Sequence, residues 1–460
     1  MIQLCKRDNE KVLKAIRNGS IDAADISFPN LIDTIILSMK KKDILSSLAN
    51  AIEDKRAENH HIPFYLLFVL AITAKLKLKT SLTDVPFAIS DAELLAELGW
   101  NAWDNDREIN KGLFSESVMR KLVAKYSSEE WICFYNCYVQ DFLLKKTGFC
   151  PDIHILDCTK IPVNLQNENY ENASVVKIDG TKIRGYKLGV LRGVLDDSGI
   201  AEEIILGTLK THDLELCRQM LKETLCLKEG DILINDRGFL SREIVNYLKT
   251  ERKVDSYLPA KENMVLFQDA VRLAVSYGKW QKHPNRKRTH QQIQLVKDLG
   301  SLWESSQIEE DVPVNACVVQ DTKTEEFFVF MTTDTDKTAR QIIQIYELRP
   351  EIEEDFRQIK DFWKLTEFKS TKYNYISFHI VMTLIGYLYF QIFKNLEEGA
   401  VYRKKSLPVV LKNHKEEKAK AIIVYSGQYF GIFSFLEFLQ IYAECKKEIR
   451  HYLDSVLIKV

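Results

Sequence analysis

Three acidic residues stand in settings where a carboxylate can do metal chemistry. Asp157 follows the short, mostly apolar run 153–156, and Asp236 follows a similar run at 231–235; Glu353 lies downstream in the charged stretch 346–360. Carboxylate oxygens are the ligands that hard cations such as Mg²⁺ prefer. Two such ions about 4 Å apart activate an attacking hydroxyl and stabilise the leaving oxygen in phosphodiester chemistry. If the fold gathers these side chains, two aspartates from strands and one glutamate from a helix can converge on such a pair of ions.

The stretch 346–360 predicts a helix with a charged face. Tyr346, Arg349, Glu353 and Lys360 are spaced so that, at about 100° per residue, they share an arc of roughly 60°. Pro350 tolerates only the first turn of a helix, so we expect continuous helix from about Pro350 and a kink before Glu353. Charges on a helix face are usually a solvated, salt-bridged surface, and the stretch alone leaves that alternative open. Beside the charges runs an apolar stripe that would dock onto a core, formed by Ile345, Ile352, Phe356, Ile359 and Trp363.

The segments around the first two acids predict strands followed by helices. Tyr186–Leu195 and 201–209 predict two strands of a hairpin. After the second acid, Gly238 permits a tight turn and Ser241 is a suitable N-cap for the next helix. Open α/β sheets place their chemistry at the carboxyl ends of strands, where we expect both aspartates. An aspartate at a strand end is also a common turn former, so Asp157 alone does not decide between these roles.

Two motifs resemble those of a known family. The pattern Tyr-x2-Arg-x3-Glu-x6-Lys at 346–360 resembles the signature that carries the third catalytic acid in the insertion-sequence-four family of transposases, part of the large DDE group. The stretch Asp236-Arg237-Gly238-Phe239 is similar to the setting of that family's second catalytic aspartate. The resemblance implies an α/β fold with an RNase H-like catalytic core, a mixed five-stranded sheet with helices that carries a β-rich insertion. It also implies that Asp157, Asp236 and Glu353 are catalytic and bind two Mg²⁺ ions, with Mn²⁺ as a substitute.

The same resemblance suggests a division of the chain into three regions. Residues 1–148 have helical patterns and would form the domain that recognises DNA ends. Residues 149–395 would form the catalytic domain, with the β-rich insertion at about 262–335. Residues 396–460 would form a helical carboxyl-terminal region. We therefore expect a mixed α/β core between two helical flanks.

The predicted insertion contains a basic segment. Between Lys261 and Gly300 there are eight Lys and Arg residues against three Asp and Glu, although the net charge of −1 predicts no basic surface overall. A basic loop beside an aromatic residue suits DNA backbone contact and base stacking. The resemblance implies that Trp280 or Trp303 stacks on a displaced base, while a core position is the more common role of a Trp. The expected DNA-binding residues are Arg237, Lys282, Arg286, Lys287, Arg288, Tyr346, Arg349 and Lys360.

Cysteine usage and hydropathy predict the compartment. Nine scattered cysteines, an odd number without zinc-ligand spacing, indicate reduced thiols in a cytosolic protein. The first residues lack the apolar run of a signal peptide. The segment Ile376–Phe393 is the nearest approach to a membrane span, but its polar residues and flanking lysines favour a helix buried in the protein. We therefore expect no membrane partner and a cytoplasmic bacterial protein that associates with the nucleoid when bound to DNA.

Together these features predict a transposase. It would use divalent metals to cleave double-stranded DNA and transfer strands at the terminal inverted repeats of an insertion sequence, and by analogy would act as a homodimer that pairs two ends. Two alternatives stay open. A domesticated or inactive relative would bind DNA through the basic insertion without nicking it. A host RNase H-like nuclease would share the acids but lack the Tyr, Arg and Lys residues around Glu353.

Overall fold

The chain forms two compact units. The structure is a computed structural model that describes residues 5–57, 62–100, 113–195, 198–299, 312–413 and 421–457. The first unit comprises residues 1–134, 361–370 and 374–460, and the second comprises 135–360 and 371–373. The two units contain non-contiguous segments, with both ends of the chain in the first unit, and the boundaries at 148 and 395 stay predictions. The role of residues 1–148 in recognising DNA ends stays a prediction.

Runs of helices and runs of strands follow one another along the described chain. The helices are α1 (Asn9–Asn18), α2 (Leu31–Lys41), α3 (Phe64–Leu76), α4 (Ala92–Glu97), α5 (Ser117–Val123), α6 (Ser128–Cys137), α7 (Leu144–Thr147), α8 (Asp213–Glu223), α9 (Arg242–Thr250), α10 (Val265–Tyr277), α11 (Ala339–Tyr346), α12 (Pro350–Asp361), α13 (Tyr373–Asn395), α14 (Leu407–Asn413), α15 (Phe435–Glu444) and α16 (Lys447–Leu457). The strands are β1 (Lys6–Arg7), β2 (Ala23–Ser27), β3 (Ile153–Val163), β4 (Ser174–Ile178), β5 (Thr181–Leu195), β6 (Ser198–Thr208), β7 (Ile232–Asn235), β8 (Asp255–Pro259), β9 (Gln281–Lys282), β10 (Gln291–Val296), β11 (Asn315–Asp321), β12 (Phe327–Thr332), β13 (Ala421–Ser426) and β14 (Tyr429–Phe433).

The first unit contains a small sheet that the sequence analysis missed. Its strand order is β1-β14-β13-β2, so strands from the two ends of the chain pair with each other. Helix α1 buries Val12, Ala15 and Ile16 in the core that lies against this sheet. The two ends of the chain, which were predicted to be helical, therefore contribute strands as well as helices. Strands β1 and β2 pair with partners about 400 residues away in sequence, which no local pattern reveals, whereas β13 and β14 form a local hairpin that the sequence analysis overlooked.

Helix α13 accounts for the most apolar segment of the chain. Among the described residues, it is the one helix that is long and apolar enough to cross a membrane, and the apolar window that meets this test is entirely buried inside the protein. The core helix of a globular protein passes the same test of length and hydropathy. The structure thus places Ile376–Phe393 as the sequence analysis predicted, in a buried helix.

The second unit is built on a mixed sheet. Strands β3 and β5 are antiparallel, as are β5 and β6, whereas β7 pairs in parallel with both β3 and β8. The order β6-β5-β3-β7-β8 is the mixed five-stranded arrangement that was predicted. Strand β4 pairs with the first part of the long strand β5, beside the segment that pairs with β6. Helices α8 and α9 cover this part of the sheet through a core that includes Leu156, Leu233 and Phe239.

The predicted insertion continues the same sheet. Strand β12 pairs antiparallel with β8, and β11, β10 and β9 follow, which gives a sheet of ten strands within the described residues. The insertion also contains helix α10, which the sequence analysis missed although Leu266, Ala270 and Ala274 have helical spacing and are buried. The free edge of β8 explains the continuation, because an unpaired strand edge is a template for another strand. Trp303 lies outside the described residues.

Candidate functional site

The register of two parallel strands places the first two acids side by side. Strands β3 and β7 pair from Ile153↔Ile232 to Leu156↔Asn235. Asp157 and Asp236 directly follow the last residues that pair between these two strands, so they lie side by side at the carboxyl end of that pairing. Strand β3 does not end at Asp157, as the sequence suggested, because its pairing with β5 continues to Val163. Asp157 is consequently almost buried, at 9% exposure.

Both aspartates are oriented by the backbone that follows them. Asp157 Oδ1 accepts a hydrogen bond of 2.7 Å from the N–H of Cys158, and Asp236 Oδ1 accepts one of 2.7 Å from the N–H of Arg237. Asp236 caps a short 3₁₀ turn, Arg237–Phe239, whose Phe239 is buried in the core below. In each carboxylate the second oxygen, Oδ2, is left to face the third element of the site.

That third element is the pair of helices α11 and α12. A capping box between Thr338 and Gln341 begins α11, which ends at Tyr346, and α12 begins at Pro350. The kink predicted from Pro350 is therefore present, and Tyr346 does not share a helix with Glu353. Helix α12 buries Ile352, Phe356 and Ile359, as the apolar stripe predicted.

Arg349, in the turn between these helices, connects all three acids. Its Nη2 donates to Asp157 Oδ2 at 3.0 Å and lies 3.5 Å from Asp236 Oδ2, while its Nη1 donates to Glu353 Oε1 at 2.6 Å. Because both aspartate oxygens contact the same nitrogen, the sum of 3.0 and 3.5 Å limits their separation to 6.5 Å. Acids that are 79 and 117 residues apart in sequence (236 − 157 and 353 − 236) thus meet around one guanidinium.

The electrostatics of the site follow from burial and from this arginine. Burial raises the pKa of Asp157 to about 6, although the Arg349 guanidinium and the Cys158 N–H both favour the carboxylate. Partial burial works to lower the pKa of Arg349, but the negative charges of Asp157 and Asp236 outweigh it and raise that pKa. The guanidinium therefore stays charged, and one positive charge faces three carboxyl groups. Such a site attracts further cations.

The donor atoms fit a divalent cation, but their present arrangement is centred on Arg349. The three side chains offer only carboxylate oxygens, the preferred ligands of Mg²⁺ and similar hard ions. In the part of the chain that the structure describes, no set of three His, Cys, Asp or Glu side chains is already arranged to hold a metal ion. At the three acids, the guanidinium of Arg349 occupies the space between the carboxylates. Asp157, Asp236 and Glu353 are thus the residues that would hold an ion.

The other predicted DNA-binding residues fall into two groups. Arg237 is exposed beside Asp236, and Lys360 lies half-buried two turns after Glu353 on α12. Tyr346 packs its ring against Phe330, with ring centres 4.6 Å apart, and burial raises its pKa. Tyr346 lies near enough to Arg349 and Asp236 for their charges to act on its pKa, and Arg349 itself contacts the acids. The DNA contacts of Tyr346, Arg349 and Lys360 stay predictions.

The basic loop of the insertion lies close to the turn that carries Arg349. Lys282, Arg286, Lys287 and Arg288 are exposed, and Arg288 Nε lies 2.9 Å from Oε1 of Glu347, which caps the end of α11. Residues of both segments line a cavity of about 390 Å³, with Phe328, Phe330, Tyr346, His283 and Arg349 among them.

The structure places Trp280 mainly as a core residue. Its ring centre lies 6.4 Å from that of Phe327, and the side chain packs against the core beneath α10. It is only half-buried, so one part of the indole stays accessible. The stacking role of Trp280 stays a prediction, as does that of Trp303.

Two buried cations on β5 were not predicted. Lys187 on β5 donates to Asp213 Oδ1 and to the carbonyl of Thr211, both at 2.5 Å, and is buried. Arg192, on the same strand, is buried as well and forms ion pairs with α12. The sequence did contain a sign of these residues, because each is a cation in an otherwise apolar strand. A cation that is buried in a strand must have a partner of opposite charge or a hydrogen-bond acceptor.

The match to a known family agrees with this geometry. A family model described as the transposase DDE domain matches residues 148–389, just over half of the 460 residues. No curated protein matches the chain. The matched segment contains strand β3 with Asp157, strand β7 with Asp236 directly after it, the insertion, the turn with Arg349 and the helix that carries Glu353. The chain therefore belongs to the transposase DDE domain family.

Proposed function

We propose that this chain cleaves DNA and transfers strands at the terminal inverted repeats of an insertion sequence, as a member of the insertion-sequence-four group of DDE transposases. The observation that supports the proposal most is the convergence of Asp157, Asp236 and Glu353 on one guanidinium. DDE domains use divalent metals. We assign to this site two Mg²⁺ ions, with Mn²⁺ as a substitute.

Each acid has a distinct part in this proposal. Asp157 and Asp236 hold the ions from adjacent strands, and Glu353 completes the second site from α12. The metal ions supply a more acidic nucleophile and stabilise the charge on the leaving oxygen. Arg349 keeps the three carboxylates together before DNA arrives and neutralises part of their charge. A guanidinium binds phosphate oxygens at least as well as carboxylates, so Arg349 can turn to the DNA backbone when ions take its place.

The DNA lies against the basic side of the second unit in this proposal. Phosphate contacts come from Lys282, Arg286, Lys287 and Arg288 of the loop, and from Arg237, Tyr346 and Lys360 beside the acids. These residues position the backbone, whereas sequence must be read elsewhere. We assign that reading to residues 1–148, and stacking on a displaced base to Trp280 or Trp303. Two copies of the chain would hold two DNA ends in one homodimeric complex.

Cleavage of DNA that carries the element's own ends tests the proposal. The substrate is a linear duplex with the genomic DNA that flanks the reading frame on both sides, either intact or already nicked at the junctions. With Mg²⁺ or Mn²⁺, the purified chain should release the flanked segment and join its 3′ ends to a plasmid. Asp236→Ala should lower both activities by at least about 100-fold, because an ion loses a ligand.

The matched control is Asp336→Ala, which changes an exposed aspartate in the turn before α11. It should behave like the unmodified chain. Equal activity of Asp236→Ala and the unmodified chain would contradict the metal-site assignment. Specific binding of the ends without any metal-dependent nicking would support the alternative, an inactive relative that only binds DNA. Nicking of RNA–DNA hybrids with no preference for the ends would support a host nuclease.

A further inference from the structure

A second arginine joins the sheet to the helix of the third acid. Arg192 lies on β5 directly opposite Ile155 of β3, two residues from the position opposite Asp157. Opposed residues of antiparallel strands project to the same face, and so do residues two apart on one strand. Arg192 and Asp157 therefore lie on the face of the sheet that carries α12. Only 3% of Arg192 is exposed.

Arg192 contacts α12 on both sides of Glu353 in sequence. Its Nε donates to Asp355 Oδ2 at 2.6 Å, and its Nη2 lies 3.0 Å from Glu351 Oε2. Glu351 and Asp355 are one turn apart, so the planar guanidinium spans a full turn of the helix. The helix is thus fixed both along its axis and in its rotation, at the turn that carries the third acid.

The surroundings of Arg192 are shaped for the guanidinium. A Cβ at Gly199 would lie 2.1 Å from the guanidinium carbon, so a side chain at this position of the neighbouring strand would displace the guanidinium. Within the described residues, Nη1 of Arg192 is buried and has no hydrogen-bond partner. A buried charge with an unsatisfied donor is an inefficient way to gain stability, since an apolar residue of similar volume often does as well. A role in placing α12 explains the residue better than stability alone.

We propose that Arg192 is a positioning residue for the reaction, which sets the place of Glu353 relative to Asp157 and Asp236. This inference rests on the proposed function, because it requires that Glu353 binds a metal ion. Arg192 acts through the helix: within the described residues its ion pairs are with Glu351 and Asp355, not with Asp157, Asp236 or Glu353. Its loss should weaken metal binding at the Glu353 side of the site while the two aspartates keep their own geometry.

Binding of Mn²⁺ to the full-length chain without DNA tests the inference, measured by the electron paramagnetic resonance signal of the free ion. Arg192→Met should weaken the binding that depends on Glu353 by about tenfold, the usual effect of removing a residue that orients a ligand. Arg192→Lys, which keeps the charge but cannot span Glu351 and Asp355, should also weaken it. The control is Arg252→Met, because Arg252 donates to the carbonyls of Lys222, Thr224 and Leu227 and does not contact α12.

A double-mutant cycle separates positioning from general stability. In a Glu353→Gln background, Arg192→Met should have no further effect on Mn²⁺ affinity, because the ligand through which it acts is already lost. Equal Mn²⁺ affinity of Arg192→Met and the unmodified chain would overturn the inference. So would an equally large loss of Mn²⁺ affinity when Arg192→Met is added to Glu353→Gln, or an equally large loss in Arg252→Met. If the unmodified chain itself binds no Mn²⁺, the proposed function fails before the inference is reached.

Discussion

At the scale of residues, the site depends on a balance between one cation and three carboxylates. Arg349 contributes two nitrogens to this arrangement, and its side chain is only 17% exposed. The types and positions of the acids could be predicted from the sequence, because each stands in a recognisable motif. The contact between Arg349 and the acids could not, since the spacing of 346–360 suggests one continuous face. Pro350 divides that face, and the turn directs Arg349 back to the sheet.

This balance predicts a competition between Arg349 and divalent ions. Arg349→Gln keeps a polar side chain but removes the positive charge that the three carboxylates share. Mn²⁺ should then bind to the DNA-free chain about tenfold more tightly or better, since a unit charge at contact distance is worth several kcal/mol at low effective dielectric. A titration followed by the signal of free Mn²⁺ measures this change. Unchanged or weaker binding would show that Arg349 does not compete with the ion.

A matched substitution controls for the loss of an arginine charge. Arg272, on α10, is exposed and pairs with Asp269 within its own helix. Arg272→Gln should leave Mn²⁺ affinity unchanged. Strand transfer by Arg349→Gln should nevertheless fall, because the proposed contact with the DNA phosphate is lost as well.

At the scale of elements, the strand register places the aspartates and a buried histidine supports that register. His154 Nδ1 lies 2.6 Å from Glu202 Oε2 on β6, and Nε2 lies 3.2 Å from Asp231 Oδ2, just before β7. Glu202 is the extra residue of a bulge in β6, where the pairing with β5 shifts between Leu191 and Arg192. A bulge redirects a side chain, and here it directs Glu202 at the imidazole. The triad ties β6, β3 and β7 together near the start of the strands that carry the acids.

The triad predicts a pH dependence of stability. Burial works to lower the pKa of His154, but the hydrogen bonds to Asp231 and Glu202 outweigh it and raise that pKa to about 9. A raised pKa in the folded state gives stability that is fully present below about pH 6.5 and is lost as the pH rises through about 9. The loss should be on the order of 3 kcal/mol, measured by thermal or urea unfolding between pH 6.5 and 9.5.

His154→Gln tests this prediction. The variant leaves two buried carboxylates without a cation, so at pH 6.5 it should be less stable by about 3–5 kcal/mol. It should also lose the decline in stability between pH 6.5 and 9. His451→Gln, on an exposed surface of α16, should keep the decline. An identical pH profile for His154→Gln and the unmodified chain would show that the imidazole is neutral in the folded protein.

The elements themselves were predictable to different degrees. Strands β5 and β6 and the helix after Ser241 follow from local patterns, because turn residues and caps bound them. The full length of β3 depends on its pairing with β5, a partner that its own residues do not reveal. Helix α10 shows the periodicity of a helix, yet the expectation of a β-rich insertion directed attention to the strands around it.

At the scale of the whole molecule, the charge is arranged unevenly. The net charge of −1 gives no sign of a DNA-binding protein, and the proposal depends on the basic loop of the insertion. The sheet of the first unit is also a property of the whole molecule, because strands β1 and β2 near one end of the chain pair with β14 and β13 near the other end. The pairing of β1 and β2 with the hairpin leaves no local signal, whereas the hairpin of β13 and β14 itself, with Gly427 in its two-residue turn, was within reach of the sequence.

The basic loop predicts a specific change in DNA affinity. Lys282→Glu with Lys287→Glu should weaken binding to the flanking duplex by at least about tenfold near 0.1 M salt, and should lower the slope of log affinity against log salt by about 2. Fluorescence anisotropy over a salt series measures both quantities. Mn²⁺ binding without DNA should not change, because neither lysine contacts the acids.

The same charge change at another surface is the control. Lys446→Glu with Lys447→Glu alters two exposed lysines at the start of α16. This variant should keep the affinity and the salt slope of the unmodified chain. An equal loss of DNA affinity in both double variants would mean that net charge, and not the basic loop, determines DNA binding.

The most direct test of the central claim is anomalous diffraction from crystals of the chain grown with Mn²⁺. We predict manganese peaks within about 2.5 Å of carboxylate oxygens of Asp157, Asp236 and Glu353, with the guanidinium of Arg349 displaced from its contacts with them. A fully bound Mn²⁺ at another place, with Arg349 still between the three carboxylates, would contradict the claim that these acids form the metal site.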